Sequence, residues 1–185
     1  MKRSIITIAG AIGSGKSTTA RRVAEELGYA HFSSGDLFRA IAKDRGISIE
    51  EINHQAELEK EIDRAVDDRL KQLYDRSELV IDSRLAYHWM PDAFKVYLAV
   101  EPHLAAERIY YGIKNEGRVS QKADSVEEAL LATRGRYESE KRRYRELYGI
   151  DIDDHSIFDL ELDTGKHKLD MVVSTIIERY RAWLS

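Results

Sequence analysis

The run G-A-I-G-S-G-K-S, Gly10 to Ser17, constrains the fold of this chain more than any other stretch. It follows Ser4–Ala9, which is nearly all apolar, as a central strand covered on both faces should be. It precedes Ala20, Val23, Ala24 and Leu27, which recur at helical spacing and stop at Gly28. The positions Gly10, Gly15, Lys16 and Ser17 match G-x-x-x-x-G-K-[ST] between that strand and that helix. Glycines let backbone N–H groups turn inward around phosphate oxygens. A helix starting at Lys16 aims its positive dipole end at the same anion. The segment Gly10, Ala11, Ile12, Gly13, Ser14, Gly15, Lys16, Ser17 and Thr18 is therefore expected to cradle the phosphates of ATP. Lys16 is expected at the transferring phosphoryl group and Ser17 on Mg²⁺.

Further strands are expected at Tyr29–Phe32, Leu79–Asp82, Phe94–Val100 and Ile157–Leu162. The last alternates, with Phe158, Leu160 and Leu162 on one face, and reads as an edge strand with one wet side. A final helix carries Leu169, Val172, Val173, Ile176 and Tyr180, flanked by Lys168 and Ser174. Strands alternating with helices predict an α/β fold: a three-layer phosphate-loop architecture with a five-stranded parallel sheet. Residues 34–76 and 103–148 break the simple alternation and read as helical insertions above the strand ends, where open α/β sheets bind ligands. Within the first, Ser48 to Glu51 forms a capping box with Ile47 and Ile52 at the staple positions. One domain over residues 1–185 is expected, because only two prolines and no Gly/Ser-rich linker occur.

Composition narrows the function. A net charge of −4 gives no support to nucleic-acid binding. The absence of cysteine removes thiolate metal sites and a cysteine nucleophile, and fits a cytoplasmic protein. No apolar run approaches the roughly 20 residues of a membrane span. The start M-K-R-S-I-I-T-I-A-G is read as a strand rather than an export signal, because its apolar part is short and enters the phosphate loop.

Among phosphate-loop proteins, a guanine-nucleotide switch would need N-K-x-D, which is missing. A motor or AAA-type ATPase usually ends its acidic strand in Asp-Glu, whereas here Asp82 is followed by Ser83. A small kinase survives, since its nucleophile comes from the substrate. It needs several arginines and a way to exclude water.

Ser33-Ser-Gly-Asp-Leu-Phe-Arg39 and Val80-Ile-Asp-Ser-Arg84 resemble stretches of nucleoside monophosphate kinases. Arg136-Tyr-Glu-Ser-Glu-Lys-Arg-Arg-Tyr144, Tyr148-Gly-Ile-Asp-Ile152 and Ser156-Ile-Phe-Asp159 resemble the archaeal-type (short, type 2) cytidylate kinases, in order over nearly the whole chain. The resemblance implies phosphoryl transfer from ATP·Mg²⁺ to CMP or dCMP by a monomer. It also implies an acceptor-binding segment at 34–76 and a lid at 112–140. Other acceptors (UMP, AMP or a small metabolite) and a weakly active nucleotide-binding regulator stay open.

The resemblance assigns roles that the residues alone leave divided. Arg39 is either an exposed helix arginine or a ligand of the acceptor phosphate. Ser34 and Asp36 either cap a helix or join that site. Asp82 ends a buried strand and reads as a Mg²⁺ ligand through water or as a salt-bridge partner, with Arg84 facing the acceptor. Arg136, Glu140 and Arg143, spaced i, i+4, i+7, share one helix face. Alone they read as a solvated ion-pair ladder; the resemblance implies contact with sugar or phosphates, and makes Arg136 catalytic beside Lys16 and Arg108. The family pattern R-I-x-x-R is Arg108-Ile-Tyr-Tyr-Gly112 here, so the second arginine is missing, with Lys114 or Arg118 as candidate substitutes. The Tyr148–Ile152 block reads either as a packed turn or as a catalytic element.

Overall fold

A computed structural model describes residues 2–116 and 123–185. Five parallel strands, β1 (Ile5–Gly10), β2 (Ala30–Ser33), β3 (Leu79–Asp82), β4 (Phe94–Ala99) and β5 (Leu160–Asp163), lie in the order β2-β3-β1-β4-β5. The chain builds leftward from β1 and then returns to its other side. The loop after β1 therefore sits at the point where strand order reverses, the usual ligand crevice of open α/β sheets.

Alternation within each strand feeds two apolar layers. Ile6, Ile8, Val80, Val96 and Leu98 meet α1 (Lys16–Leu27) and α8 (Leu169–Leu184) on one face. Ile5, Leu79 and Ile81 meet Leu70 of α4 (Lys60–Lys71) and Ala86 of α5 (Ala86–Trp89) on the other. Both faces are covered, which is why β1 reads as a nearly continuous apolar run. Tyr180 of α8 closes the first layer, buried against Phe94 and hydrogen-bonded to Tyr29 at 3.1 Å.

The insertion at 34–76 folds as α2 (Ser34–Asp44), α3 (Ile49–Leu58) and α4 around a small core of its own, Ala42, Ile52, Ala56 and Ile62. Ser48 Oγ accepts from the Glu51 N–H at 3.0 Å, one half of the capping box, and Ile47 and Ile52 both join that core, as the staple requires. Among the described residues of the second insertion stand two helices, α6 (Pro102–Glu116) and α7 (Val126–Tyr148), the latter capped by Ser125, whose Oγ accepts from the Glu128 N–H at 3.1 Å.

The bounds of β1, β2 and β4 shift by one residue from expectation, and three further features differ. Ser33, still in β2, caps α2, so Ser34 is the first helical residue rather than the cap. Ser174 lies inside α8 and donates back to the Met171 carbonyl. Phe158 does not share a face with Leu160 and Leu162. A bend at Asp159, whose carboxylate accepts from the Lys95 N–H at 2.8 Å, starts β5 late. Phe158 turns instead to Tyr87 and Tyr97, at ring distances of 5.0 and 5.2 Å.

The Tyr148–Ile152 block packs as a turn at the end of α7. Gly149 takes φ 68° and ends α7, while Ile150 and Ile152 bury against Leu85, Tyr87 and Ala9. Gly10 has a different constraint. A Cβ there would stand 2.3 Å from the Leu98 carbonyl oxygen of the neighbouring strand, and its φ is 146°. Gly149→Ala meets nothing and carries only the left-handed penalty of about 1–2 kcal/mol. Gly10→Ala must also part β1 from β4 and is expected to cost about 3 kcal/mol. Urea unfolding of the two variants checks the order; equal losses would contradict it.

Candidate active site

The C-terminal ends of β1 and β3 open onto one cavity of about 910 Å³. Its walls come from the phosphate loop, α2, α3 and α4 of the first insertion, α6 and α7. Among the described residues, seven cationic side chains and five carboxylates line it, although the whole chain carries a net charge of −4. Positive charge is concentrated where a polyanion would sit.

The loop supplies the floor. Gly13 and Gly15 both have positive φ, at 81° and 83°, and α1 begins directly after Gly15. A Cβ at Gly13 would come within 2.8 Å of the Ala105 carbonyl oxygen of α6. Lys16 folds back so that Nζ donates to the Ala11 carbonyl at 3.1 Å. Burial first, then the Arg84 charge, push its ammonium down to about 8, opposed by Asp82 and Glu140. A phosphate in the loop would supply the counter-charge it lacks.

Asp82 is 5% exposed at the end of β3. Among the described residues no arginine forms a salt bridge with it. It accepts from Ser17 Oγ at 2.5 Å and from Ser33 Oγ at 3.2 Å, because the register sets Ser33 beside Asp82. Ser34 Oγ donates to the Asp82 carbonyl at 3.4 Å. One hydroxyl and one carboxylate, Ser17 and Asp82, thus stand together at the loop. No cluster of three or more His, Cys, Asp or Glu side chains suited to a metal occurs among the described residues. Such a sparse donor set fits Mg²⁺, which takes one or two protein ligands and completes its shell with phosphate oxygens and water.

Arg136, Glu140 and Arg143 all reach the cavity from one face of α7, but they do not form a solvated ladder. The Glu140 side chain is 4% exposed and lies between Arg84 Nε and Arg136 Nε, the latter at 2.8 Å. Burial works to raise its carboxyl, and the two guanidinium groups outweigh it and hold it below the usual range. Arg84 also donates to the Gly10 carbonyl at 3.1 Å. It therefore ties the strand end, the phosphate loop and α7 together. Arg143 turns to α4, where Nε meets Asp63 at 2.8 Å, with further bonds to Ser139 Oγ and the Asn53 carbonyl. Its donors are taken up by protein.

Arg39 lines the cavity about half exposed and pairs with Asp36, which also lies 3.8 Å from Arg21. Arg108 donates to Thr164 Oγ1 at 3.0 Å and to the Thr164 carbonyl at 2.8 Å, so β5's end anchors it. Gly112 lines the cavity without a side chain to offer. The Lys114 side chain and Arg118 lie outside the described residues. Asp63 and Asp67 escaped the sequence reading. Their signal was available: both sit on α4 beside Ile62, Val66 and Leu70, carboxylates flanking an apolar stripe.

If Arg143 positions α7 on α4, Arg143→Ala strands a buried carboxylate and should destabilise the protein by about 3–5 kcal/mol. Replacing both partners, Arg143→Met with Asp63→Leu, should recover most of that loss. Denaturant titration of the single and double variants decides; a stable Arg143→Ala protein would mean the pair holds nothing.

Comparison with known proteins accords with this geometry. The family model described as "AAA domain" matches residues 9–127. A cytidylate kinase of Natronomonas pharaonis is 40% identical, with 97% of this chain and 90% of that protein covered. A cytidylate kinase of Methanothrix thermoacetophila is 43% identical, over 88% and 89%. Among solved structures, a gluconokinase from Sinorhizobium meliloti superposes with a TM-score of 0.63 at 15% identity, covering 98% of this chain and 95% of that one. Shikimate kinase from Acinetobacter baumannii superposes with a TM-score of 0.61 at 19% identity, covering 95% and 92%. At such low identity the structural likeness speaks for the fold: a phosphate-loop kinase sheet.

Proposed function

The chain belongs to the cytidylate kinase family, and from that premise we propose that it transfers the γ-phosphoryl group of ATP to CMP or dCMP, giving CDP or dCDP and ADP. The observation that carries the reading is a single cavity in which the phosphate loop faces Arg39, Arg84 and Arg136. A donor polyphosphate and an acceptor phosphate can meet there.

In this reading Gly10–Thr18 holds the donor phosphates through backbone N–H groups. Lys16 leaves the Ala11 carbonyl for them. Ser17 and Asp82 would hold Mg²⁺, which when bound neutralises charge on the phosphate oxygens. The acceptor phosphate lies against Arg39, with Ser34 and Asp36 beside it. Arg39 suits the role because its guanidinium can leave a surface pairing for a bidentate phosphate contact. Arg84 and Arg136, held by Glu140, stabilise charge as it spreads over the transferring group. Arg108, anchored on Thr164, borders the donor side. Arg143 acts at one remove, by fixing α7 to α4. No general base is needed, because the nucleophile is already an anionic phosphate oxygen. The γ-phosphorus bond to ADP breaks as the bond to the acceptor oxygen forms.

Residues 34–76 and 112–140 serve as the acceptor segment and the lid of one domain, and the protein works as a cytoplasmic monomer. No helix among the described residues is long and apolar enough to cross a membrane. Gly112 supports one variant of the reading, a slower enzyme, since a phosphate-clamping arginine can carry several orders of magnitude in rate.

Coupled-assay turnover of ATP·Mg²⁺ with each nucleoside monophosphate tests the proposal. ADP formation confined to CMP and dCMP is expected; ATP binding without turnover of any acceptor would refute it. Arg39→Ala should lower kcat/KM for the acceptor about 10- to 100-fold, with ATP affinity preserved.

Lys16 offers a pH test. Burial and the Arg84 charge push its ammonium down to about 8, so part of it is neutral at pH 8. A bound polyphosphate favours the charged form. ATP binding at pH 8 should therefore take up protons. Calorimetry in two buffers of different ionisation enthalpy measures this. Net proton release on binding would contradict it.

A further inference from the structure

Four of the cavity's five carboxylates have a cation or a ligand role to answer for their charge. Asp36 meets Arg39 and Arg21, Asp63 meets Arg143, and Glu140 meets Arg84 and Arg136. Asp82 takes the Ser17 and Ser33 hydroxyls near Lys16. Asp67 is the exception among the described residues. It is 4% exposed, and the groups bonded to it are neutral: Tyr148 OH donates at 2.5 Å and Trp89 Nε1 at 3.3 Å. Lys71, whose charge acts on it from the same helix, is engaged elsewhere, with Asp68 at 2.9 Å and over the Trp89 ring.

Burial pushes the Asp67 carboxyl up to about 6, against both hydrogen bonds. Its folded value exceeds the unfolded one, so the native state binds more protons between about 4 and 6. Stability falls as pH rises through that window, and the cost is complete above it. At neutral pH the fold therefore carries an ionised carboxylate at some expense. One hydroxyl and one indole N–H do not demand a charge; an amide or hydroxyl oxygen would accept from either. An uncompensated buried carboxylate in a cleft is a mark of ligand recognition.

Its surroundings indicate the ligand. Phe38, Ile49 and Val66 share the cavity wall with Asp67. Apolar side chains with one acceptor suit a planar heterocycle that has apolar faces and a donor on its edge. We propose that Asp67 reads the acceptor base, accepting a hydrogen bond from the exocyclic amine at C4 of cytosine and so setting CMP above UMP. Uracil would present its O4 there, an acceptor facing a carboxylate, and leave both unpaired. The inference rests on the cytidylate kinase reading and adds the residue that would make the pyrimidine choice.

The first test needs no variant. The protein is offered CMP, UMP and the CMP analogue with hydrogen in place of the 4-amine. Loss of the amine should lower kcat/KM about 10- to 100-fold. In Asp67→Asn the preference for CMP over UMP should shrink at least about tenfold, because the amide can donate to O4. Tyr148→Phe keeps the carboxylate and should retain the preference, whatever it does to both rates. An analogue turned over within about twofold of CMP would overturn the inference. So would an Asp67→Asn protein that loses CMP and UMP activity in equal proportion. Those outcomes leave the kinase reading standing; no turnover with any nucleoside monophosphate would remove both.

Discussion

The site depends on a buried carboxylate that cannot stand alone. Glu140 is carried on α7, far in sequence from the phosphate loop, and lies under Arg84 and Arg136. An isolated carboxylate at that depth would protonate or pull toward water. Two guanidinium groups keep it ionised, and in doing so they draw α7 down over the loop. Arg84 then has a second attachment, the Gly10 carbonyl. The consequence is mechanical. The end of β3, the start of the loop and the long helix share one electrostatic joint, and the arginines that face the cavity are oriented before any ligand arrives.

Around that joint the charges are arranged in two kinds. Arg84, Arg108 and Arg143 are pinned by Glu140, Thr164 and Asp63. Lys16 and Arg39 are held more loosely, Lys16 by a carbonyl and Arg39 by a half-exposed aspartate. Pinned cations set shape and field without reorganising; loosely held ones can change partner. Preorganised charge combined with a few mobile donors is what phosphoryl transfer asks of a protein, since there is little covalent work to do. Asp67 belongs to neither kind, which is why its burial calls for a partner from outside the chain.

Much of this was legible in the residues. The strand, the glycine loop and the helix after it are local, so spacing alone placed Gly10 to Thr18. The i, i+4, i+7 spacing of Arg136, Glu140 and Arg143 correctly put them on one face. The errors share a cause. The sequence offers Ser34 as a cap, but the capping hydroxyl is that of Ser33, whose position is set by pairing with Asp82 across the sheet. Simple alternation puts Phe158 with Leu160, but the backbone bends at Asp159, whose carboxylate takes the Lys95 N–H, and turns Phe158 away. Asp63 and Asp67 were passed over because carboxylates on a charged helix read as solvated until the neighbouring helices bury them.

The sequence by itself determined the donor end of this protein: a phosphate loop between a buried strand and a helix, and the order of elements that makes a parallel sheet. Those follow from periodicity and from backbone freedom at glycine, which act over a few residues. Only the tertiary structure decided which charges are partners. Arg143 finds Asp63, Arg84 finds Glu140, and Tyr148 finds Asp67, each pair far apart in the chain. The physical reason is that the strength of a charge depends on what surrounds it. Burial, not residue type, separates an arginine that braces a helix from one left to meet a phosphate.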